Sequence, residues 1–369
     1  MKFKIPVAEP LIGKEELNLV IEAVRSGWVS SKGRFIKEFE EKFAKYIGVK
    51  HSIATSNGTT ALHLALTALG IKQGDEVIIP TLTFAAVANA VIYTGAKPIF
   101  IDSHPDYWCI DPSKIEERIT KKTKAIIPVH LYGHPCDMTK IARNHNLYII
   151  EDCAEAHGAK YKDKKVGCFG DIACFSFYGN KIITTGEGGT CLTNREELAQ
   201  KMRVLRDHGM EPNRKYWHEV IGFNYRMTNL QAALGVAQIE KIDEFIKKKR
   251  KIARTYNSLL KDIKGITLPP KMPWAENVYW LYSILIDQKK YGINRDRLMI
   301  ELAKNGIETR RFFYPIHTMP PYREYAGGGS FHVADRLSSS GINLPSSVKL
   351  KEDEAQEIAQ LISNKERSS

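Results

Sequence analysis

The chain has 369 residues, 43% hydrophobic and 26% charged, with a formal net charge of +12. This composition is that of a globular protein too long for one small core, so two domains, or one large domain with a smaller one, are expected. No apolar run approaches the roughly 20 residues of a membrane span, and the six cysteines form no CxxC pair of the kind that binds zinc.

The start, "MKFKIPVAEPLIGKEE", has no apolar h-region and no small-residue cleavage site, so no signal peptide is expected. Cys109, Cys136, Cys153, Cys168, Cys174 and Cys191 mostly lie in or beside apolar runs, as buried reduced thiols of a cytoplasmic protein would. The basic balance is either surface lysine, as in "KKKRK" at Lys247 to Lys251, or the mark of an anionic partner, nucleic acid or a phosphorylated small molecule. There is no helix-turn-helix, RNP-type strand or finger signature, and the charge is spread along the chain, which favours the small molecule.

From about residue 50 to 194, β-rich runs alternate with helical patterns. The runs are Asp75–Pro80, Lys97–Asp102, Ala125–Gly133, Leu147–Ala154, Ala173–Phe177 and Thr190–Asn194. Several are apolar throughout, as in strands covered on both faces of a parallel or mixed α/β sheet. Between them, "TTALHLALTALG" reads as a helix closed by Gly70. A long helical pattern follows from about Asn229 to Leu260, carried by Leu234, Ile239, Ile242, Phe245, Ile246, Ile252 and Tyr256. After "LPP" come a strand at Val278–Ile286, a helix near Arg295–Asn305, a strand in "IETRRFFYP" and a C-terminal helix. The expected division is a large α/β domain at 1–240 and a small α+β domain at 241–369. "YAGGGS", Tyr325 to Ser330, reads as a loop.

Four features carry chemistry, and each alone has a simpler reading. Ser56, Asn57 and Gly58 form a polar turn, and Thr59 and Thr60 open a helix, whose free N–H groups suit a phosphate or merely an N-cap. Phe84 stands just past a strand end, where it can lie on a planar ligand or pack in a core. Asp152 closes an apolar strand, as a helix cap or as the partner of a cation such as a protonated pyridine nitrogen, with Glu155 and His157 nearby. Lys181, in "SFYGNKIITTGEGG", follows a buried-looking strand. It is either a surface lysine or an amine activated by burial.

Together these are the parts of a pyridoxal-phosphate site. The stretches "TSNGTTALHLAL", "EDCAEAHGA", "SFYGNKIITTGEGG" and "GFNYRMTNLQAALG" resemble the DegT/DnrJ/EryC1/StrS nucleotide-sugar aminotransferases. The likeness runs from near Gly27 to near Ser347. It implies the aspartate-aminotransferase fold (fold type I) and a cytoplasmic homodimer with shared active sites. It also implies a cofactor cycling between pyridoxal 5'-phosphate and pyridoxamine 5'-phosphate, with L-glutamate and a GDP-, UDP- or dTDP-linked keto-sugar as substrates.

By the same resemblance Lys181 is the Schiff-base lysine, Asp152 faces the ring nitrogen and Phe84 stacks on the ring. Ser56, Gly58, Thr59 and Ser176 hold the phosphate, and Asn224 reaches it from the other subunit. Glu155 stands where many relatives have Gln near the ring hydroxyl. Trp28, His157, Arg311 and His317 are candidate substrate contacts, with Arg310 beside them. A sugar dehydratase of this family would carry histidine in place of Lys181. A basic binding protein without cofactor is the distant alternative.

Overall fold

The computed structural model describes residues 3–142 and 146–366. The first strands are β1 (His51–Thr55), β2 (Glu76–Pro80), β3 (Lys97–Ile101), β4 (Thr123–Ile126) and β5 (Tyr148–Asp152). After a short ribbon, β6 (Lys160–Tyr161) and β7 (Lys164–Lys165), come β8 (Ile172–Ser176) and β9 (Gly189–Thr193). Seven of them form one sheet in the order β1-β9-β8-β5-β4-β2-β3. Only β9 runs against its neighbours, so the sheet is mixed. Every residue of β8 and β9 is buried, which is why these runs are apolar or small throughout rather than alternating.

The helix Gly58–Ala68 lies against this sheet with seven of its residues buried. Its capping signal is the one the sequence suggests: the Asn57 side chain accepts the Thr60 N–H at 2.9 Å.

A second, smaller sheet is antiparallel and ordered β10-β12-β14-β13: β10 (Ile266–Thr267), β12 (Tyr282–Ile286), β13 (Arg310–Arg311) and β14 (Gly341–Leu344). β11 (Ala275–Glu276) joins the β6–β7 ribbon instead. The small sheet has its own apolar cluster, including Tyr256, Tyr282, Ile284, Leu298, Ile342 and Ile358. Ile5, from the start of the chain, belongs to that cluster and bridges to Ile307.

Three elements differ from the periodicity. The long helical pattern is two helices, Asn229–Glu240 and Ile242–Leu260, parted at Lys241. The strand expected at Val278–Ile286 begins only at Tyr282, because Tyr279 takes φ +50° and breaks the extended backbone. In the run Ala125–Gly133 the regular ladder stops at Ile126, but Ile127 still donates to the Ile78 carbonyl and Val129 bridges to Asp152 before a 3-10 turn, Leu131–Gly133. No helix among the described residues is long and apolar enough to cross a membrane.

Candidate active site

The ends of β1, β5 and β8, and the segment following β2, meet around a cavity of about 610 Å³. This is the carboxyl edge of the parallel strands, where α/β sheets leave a crevice. It answers why a lysine follows β8. The chain turns back there from β8 to antiparallel β9, and the connection carrying Lys181 lies over the crevice.

Asn57, Gly58, Thr59 and Thr60 line one side of the cavity, with Ser176 from the end of β8. A Cβ on Gly58 would stand 2.8 Å from the Ser176 Cβ, so glycine is what lets the helix start approach β8. The first N–H groups of a helix have no intrahelical acceptor, and here they open on a hydroxyl-rich wall.

Asp152, Glu155 and Lys181 face the same space. Asp152 is 6% exposed, and its Oδ1 accepts the Ala154 N–H at 3.0 Å. No hydrogen bond from a described residue reaches its Oδ2. Burial raises its pKa, against the Ala154 N–H and the Lys181 charge. Glu155 is also buried; its Oε2 accepts the Tyr132 N–H at 2.7 Å, and its Oε1 lies 4.0 Å from Lys181 Nζ. Burial pushes the Glu155 carboxyl up and the Lys181 ammonium down, while their attraction opposes both shifts. Lys181 Nζ also sits 3.8 Å above the Trp280 ring. The result is an amine whose charged form burial disfavours, set among two carboxyls and an aromatic face.

The glycines after Lys181 are demanded by backbone conformation or by space. Gly186 has φ +81°, a Cβ on Gly188 would strike Thr185 Oγ1, and one on Gly189 would strike the Asn57 carbonyl oxygen. Gly189 pairs with Thr55 at the ends of β9 and β1, so the run seats the lysine loop directly on the hydroxyl-rich turn.

The sequence pattern of the DegT/DnrJ/EryC1/StrS aminotransferase family matches residues 10–363. The chain belongs to this family. GDP-perosamine synthase of Caulobacter vibrioides is 48% identical to it over 353 residues, 95% of each chain. That of Escherichia coli O157:H7 is 49% identical over 365 residues, 98% of each. Among solved structures, a putative sugar aminotransferase of Streptococcus pneumoniae in its PLP form superposes with a TM-score of 0.91, covering 99% of each chain at 27% identity. The mixed large sheet with its smaller α+β partner is fold type I, as expected from the sequence.

In this aminotransferase, Phe84 is 60% exposed and lines the cavity, its ring 5.8 Å from that of Phe313. Ser56 does not line it; its Oγ pairs with Thr60 Oγ1 at 3.2 Å. Arg310 and Arg311 lie at the rim, Arg311 donating to the Tyr314 hydroxyl at 2.7 Å. Three candidate substrate contacts are not at this cavity. His157 is fully buried among Phe43, Phe175 and Phe177, and burial lowers its pKa to about 3. His317 is committed to Thr81 Oγ1 at 2.7 Å and Asp335 at 3.3 Å. Trp28 lines a separate surface depression with Arg34 and Asn229. Asn224 is exposed and accepts from Arg226 at 3.1 Å, outside its own chain's cavity.

Sequence reasoning missed Tyr132, Trp280 and Asn343, which also line the cavity. They lie in the segments "HLYG", "VYWLYS" and "GINLPSS", where nothing local aims them at Lys181. His130, Glu151 and Cys153 have the spacing of a metal cluster, their donor atoms lying within 4.8 Å. Glu151 is already occupied: it accepts the N–H groups of Gly167, Phe169 and Gly170 at 2.7–2.8 Å and pairs with His130 Nε2 at 3.2 Å. The Cys136 N–H donates to His130 Nδ1, which leaves Nε2 as the donor to Glu151. This network ties the 167–170 turn to the end of β5.

Proposed function

We propose that the chain is a GDP-perosamine synthase, moving the amino group of L-glutamate to C4 of GDP-4-keto-6-deoxy-D-mannose with pyridoxal 5'-phosphate. The observation that carries the substrate is the pair of relatives of that name at 48% and 49% identity over nearly the whole chain. The cofactor fits the residues present: a buried carboxylate with an unpartnered oxygen, an amine facing it, and a hydroxyl-lined helix start.

In this reading the backbone of Gly58 and Thr59 and the Ser176 hydroxyl would hold the phosphate, with Ser56 acting only through its bond to Thr60, and Phe84 would cover the ring. Asp152 would hold the ring nitrogen and keep it protonated. Glu155 lies beside the ring hydroxyl. When bound, the cofactor supplies a sink for the electron pair left at the donor's Cα. Lys181 would hold the cofactor and, once free of it, would carry the donor's Cα proton as base and return it as acid. One lysine serves both roles because release frees its lone pair, and the pull of burial against its ammonium readies it. Arg310 and Arg311 at the rim suit an anionic substrate.

The working form is a cytoplasmic homodimer in which Asn224 of the partner subunit approaches the phosphate. Exposed Trp28, Val29, Tyr216, Trp217, Val220 and Ile221 supply apolar surface for such an interface.

The test is the absorbance of the purified protein before and after L-glutamate, then after GDP-4-keto-6-deoxy-D-mannose. A visible band bleached by glutamate and restored by the sugar, with GDP-perosamine found by mass spectrometry, is expected. Bleaching without recovery rejects the GDP-sugar in favour of UDP- or dTDP-keto-sugars. No band after incubation with pyridoxal phosphate rejects the cofactor.

A further inference from the structure

Lys249 is a buried lysine that the proposed chemistry does not use. It lies on the helix Ile242–Leu260 where the two apolar clusters meet, since Ile246 packs in the first and Ile252 in the second. It is 3% exposed, and its Nζ donates to the backbone carbonyls of Ser346 at 2.6 Å and Trp280 at 3.0 Å. Among the described residues it forms no ion pair with a carboxylate. Burial lowers its pKa to about 7. An uncharged amine has two N–H donors, and the two carbonyls use both.

A leucine would fill such a site without the cost of burying an amine. What the amine adds is a hold on Trp280. The Trp280 carbonyl accepts from Lys249 and, at 3.4 Å, from the Ser346 hydroxyl. Its indole N–H donates to the Asn180 carbonyl at 2.8 Å, and its ring stacks on Tyr132. The residue before it, Tyr279, is held at φ +50°, a costly conformation for an aromatic residue, with its N–H on Asn277 Oδ1. Without such ties this segment would relax. The face they fix is the one 3.8 Å from Lys181 Nζ.

We propose that Lys249 is a positioning residue: through the Trp280 carbonyl it holds the indole face against Lys181 and so tunes the nucleophilicity of that amine. An indole face favours an ammonium by about 0.5–2 kcal/mol. It acts alongside Glu155 and Asp152, which also favour the charged form, and against burial and Arg310, which disfavour it. A displaced indole therefore leaves Lys181 less basic. The inference rests on Lys181 as the reactive amine of the proposed function, but its test uses neither sugar nor turnover, so the two can fail separately.

The test is competitive acetylation of the cofactor-free full chain with acetic anhydride from neutral to alkaline pH, reading Lys181 by peptide mass spectrometry. Lys249→Met lowers the pH midpoint of Lys181 labelling by about half a pH unit or more. Trp280→Leu does the same, and the double variant falls no further than Trp280→Leu alone. An unmoved midpoint in Lys249→Met overturns the proposal, as does a full second fall in the Trp280→Leu background. Should the methionine variant not fold, Lys249→Gln shortens the side chain's reach to the Trp280 carbonyl; a fall supports the proposal and an unmoved midpoint overturns it.

Discussion

Glu151, in β5, and Glu155, in the turn that follows it, are both buried, and their surroundings drive their carboxyls in opposite directions. Glu151 meets three backbone N–H groups and a histidine, which together overcome the burial that would raise its pKa, and hold it low. Glu155 meets one N–H group and an amine 4.0 Å away, and burial wins. The first belongs to the scaffold and the second to the chemistry.

Glu151 therefore stabilises the fold as an anion. Its folded pKa is depressed, so its contribution is present above the ordinary value of 4.5 and is lost as pH falls through the lower folded value. Glu151→Gln is expected to cost about 3–5 kcal/mol at neutral pH, because it leaves the turn's donors and His130 poorly matched. It should also flatten the acid limb of the stability curve. Thermal melting across acid pH checks both; an unchanged acid limb would place the acid sensitivity elsewhere.

Glu155 has the opposite sign. Its folded pKa is raised to about 7, so its contribution is fully present below 4.5 and lost as pH rises through about 7. In cofactor-free protein, Glu155→Gln should melt higher than the parent above neutral pH, by roughly 1–3 kcal/mol, and the two should converge in acid. Melting curves at the two extremes of pH decide this. Equal melting throughout would mean that the carboxyl is solvated in the folded chain.

Lys181→Ala is expected to abolish turnover and the visible band while circular dichroism stays that of the parent. Asp152→Asn keeps the shape but loses the charge. It should retain pyridoxal phosphate about 10–100-fold more weakly, the worth of one charge-assisted hydrogen bond, and lose most of its turnover. Equilibrium dialysis and steady-state rates separate the two effects. Full activity in either variant would refute the assigned role.

Gly189→Ala places a methyl group against the Asn57 carbonyl oxygen. The expected cost is about 1–3 kcal/mol of stability, with weaker retention of the cofactor because the phosphate turn is displaced. Denaturant titration with and without pyridoxal phosphate measures both; a neutral substitution would show that the turn yields freely.

The sheet was legible because strands buried on both faces are largely apolar, as in Val77–Pro80 of β2 and in β8. Lys181, Asp152 and Gly58 were legible because each sits at a strand end inside a contiguous motif. Trp280 and Asn343 were not, because only long-range packing brings them to the cavity. The break at Lys241 was hidden as well. The apolar periodicity continues across it with no Gly or Pro, and what fixes Lys241 is remote, its ammonium pairing with Glu15 and Glu16 at 2.8–2.9 Å. We propose this break as the division between the two domains, although Ile5 returns to the far side of it.

The unpartnered oxygen of Asp152 has a consequence beyond catalysis. A cofactor that meets this oxygen binds the folded chain alone, so loading would stabilise the native state. On the proposed function, newly made chains compete between acquiring pyridoxal phosphate and being degraded. The cellular abundance of the protein then follows the supply of vitamin B6, with no dedicated regulator required.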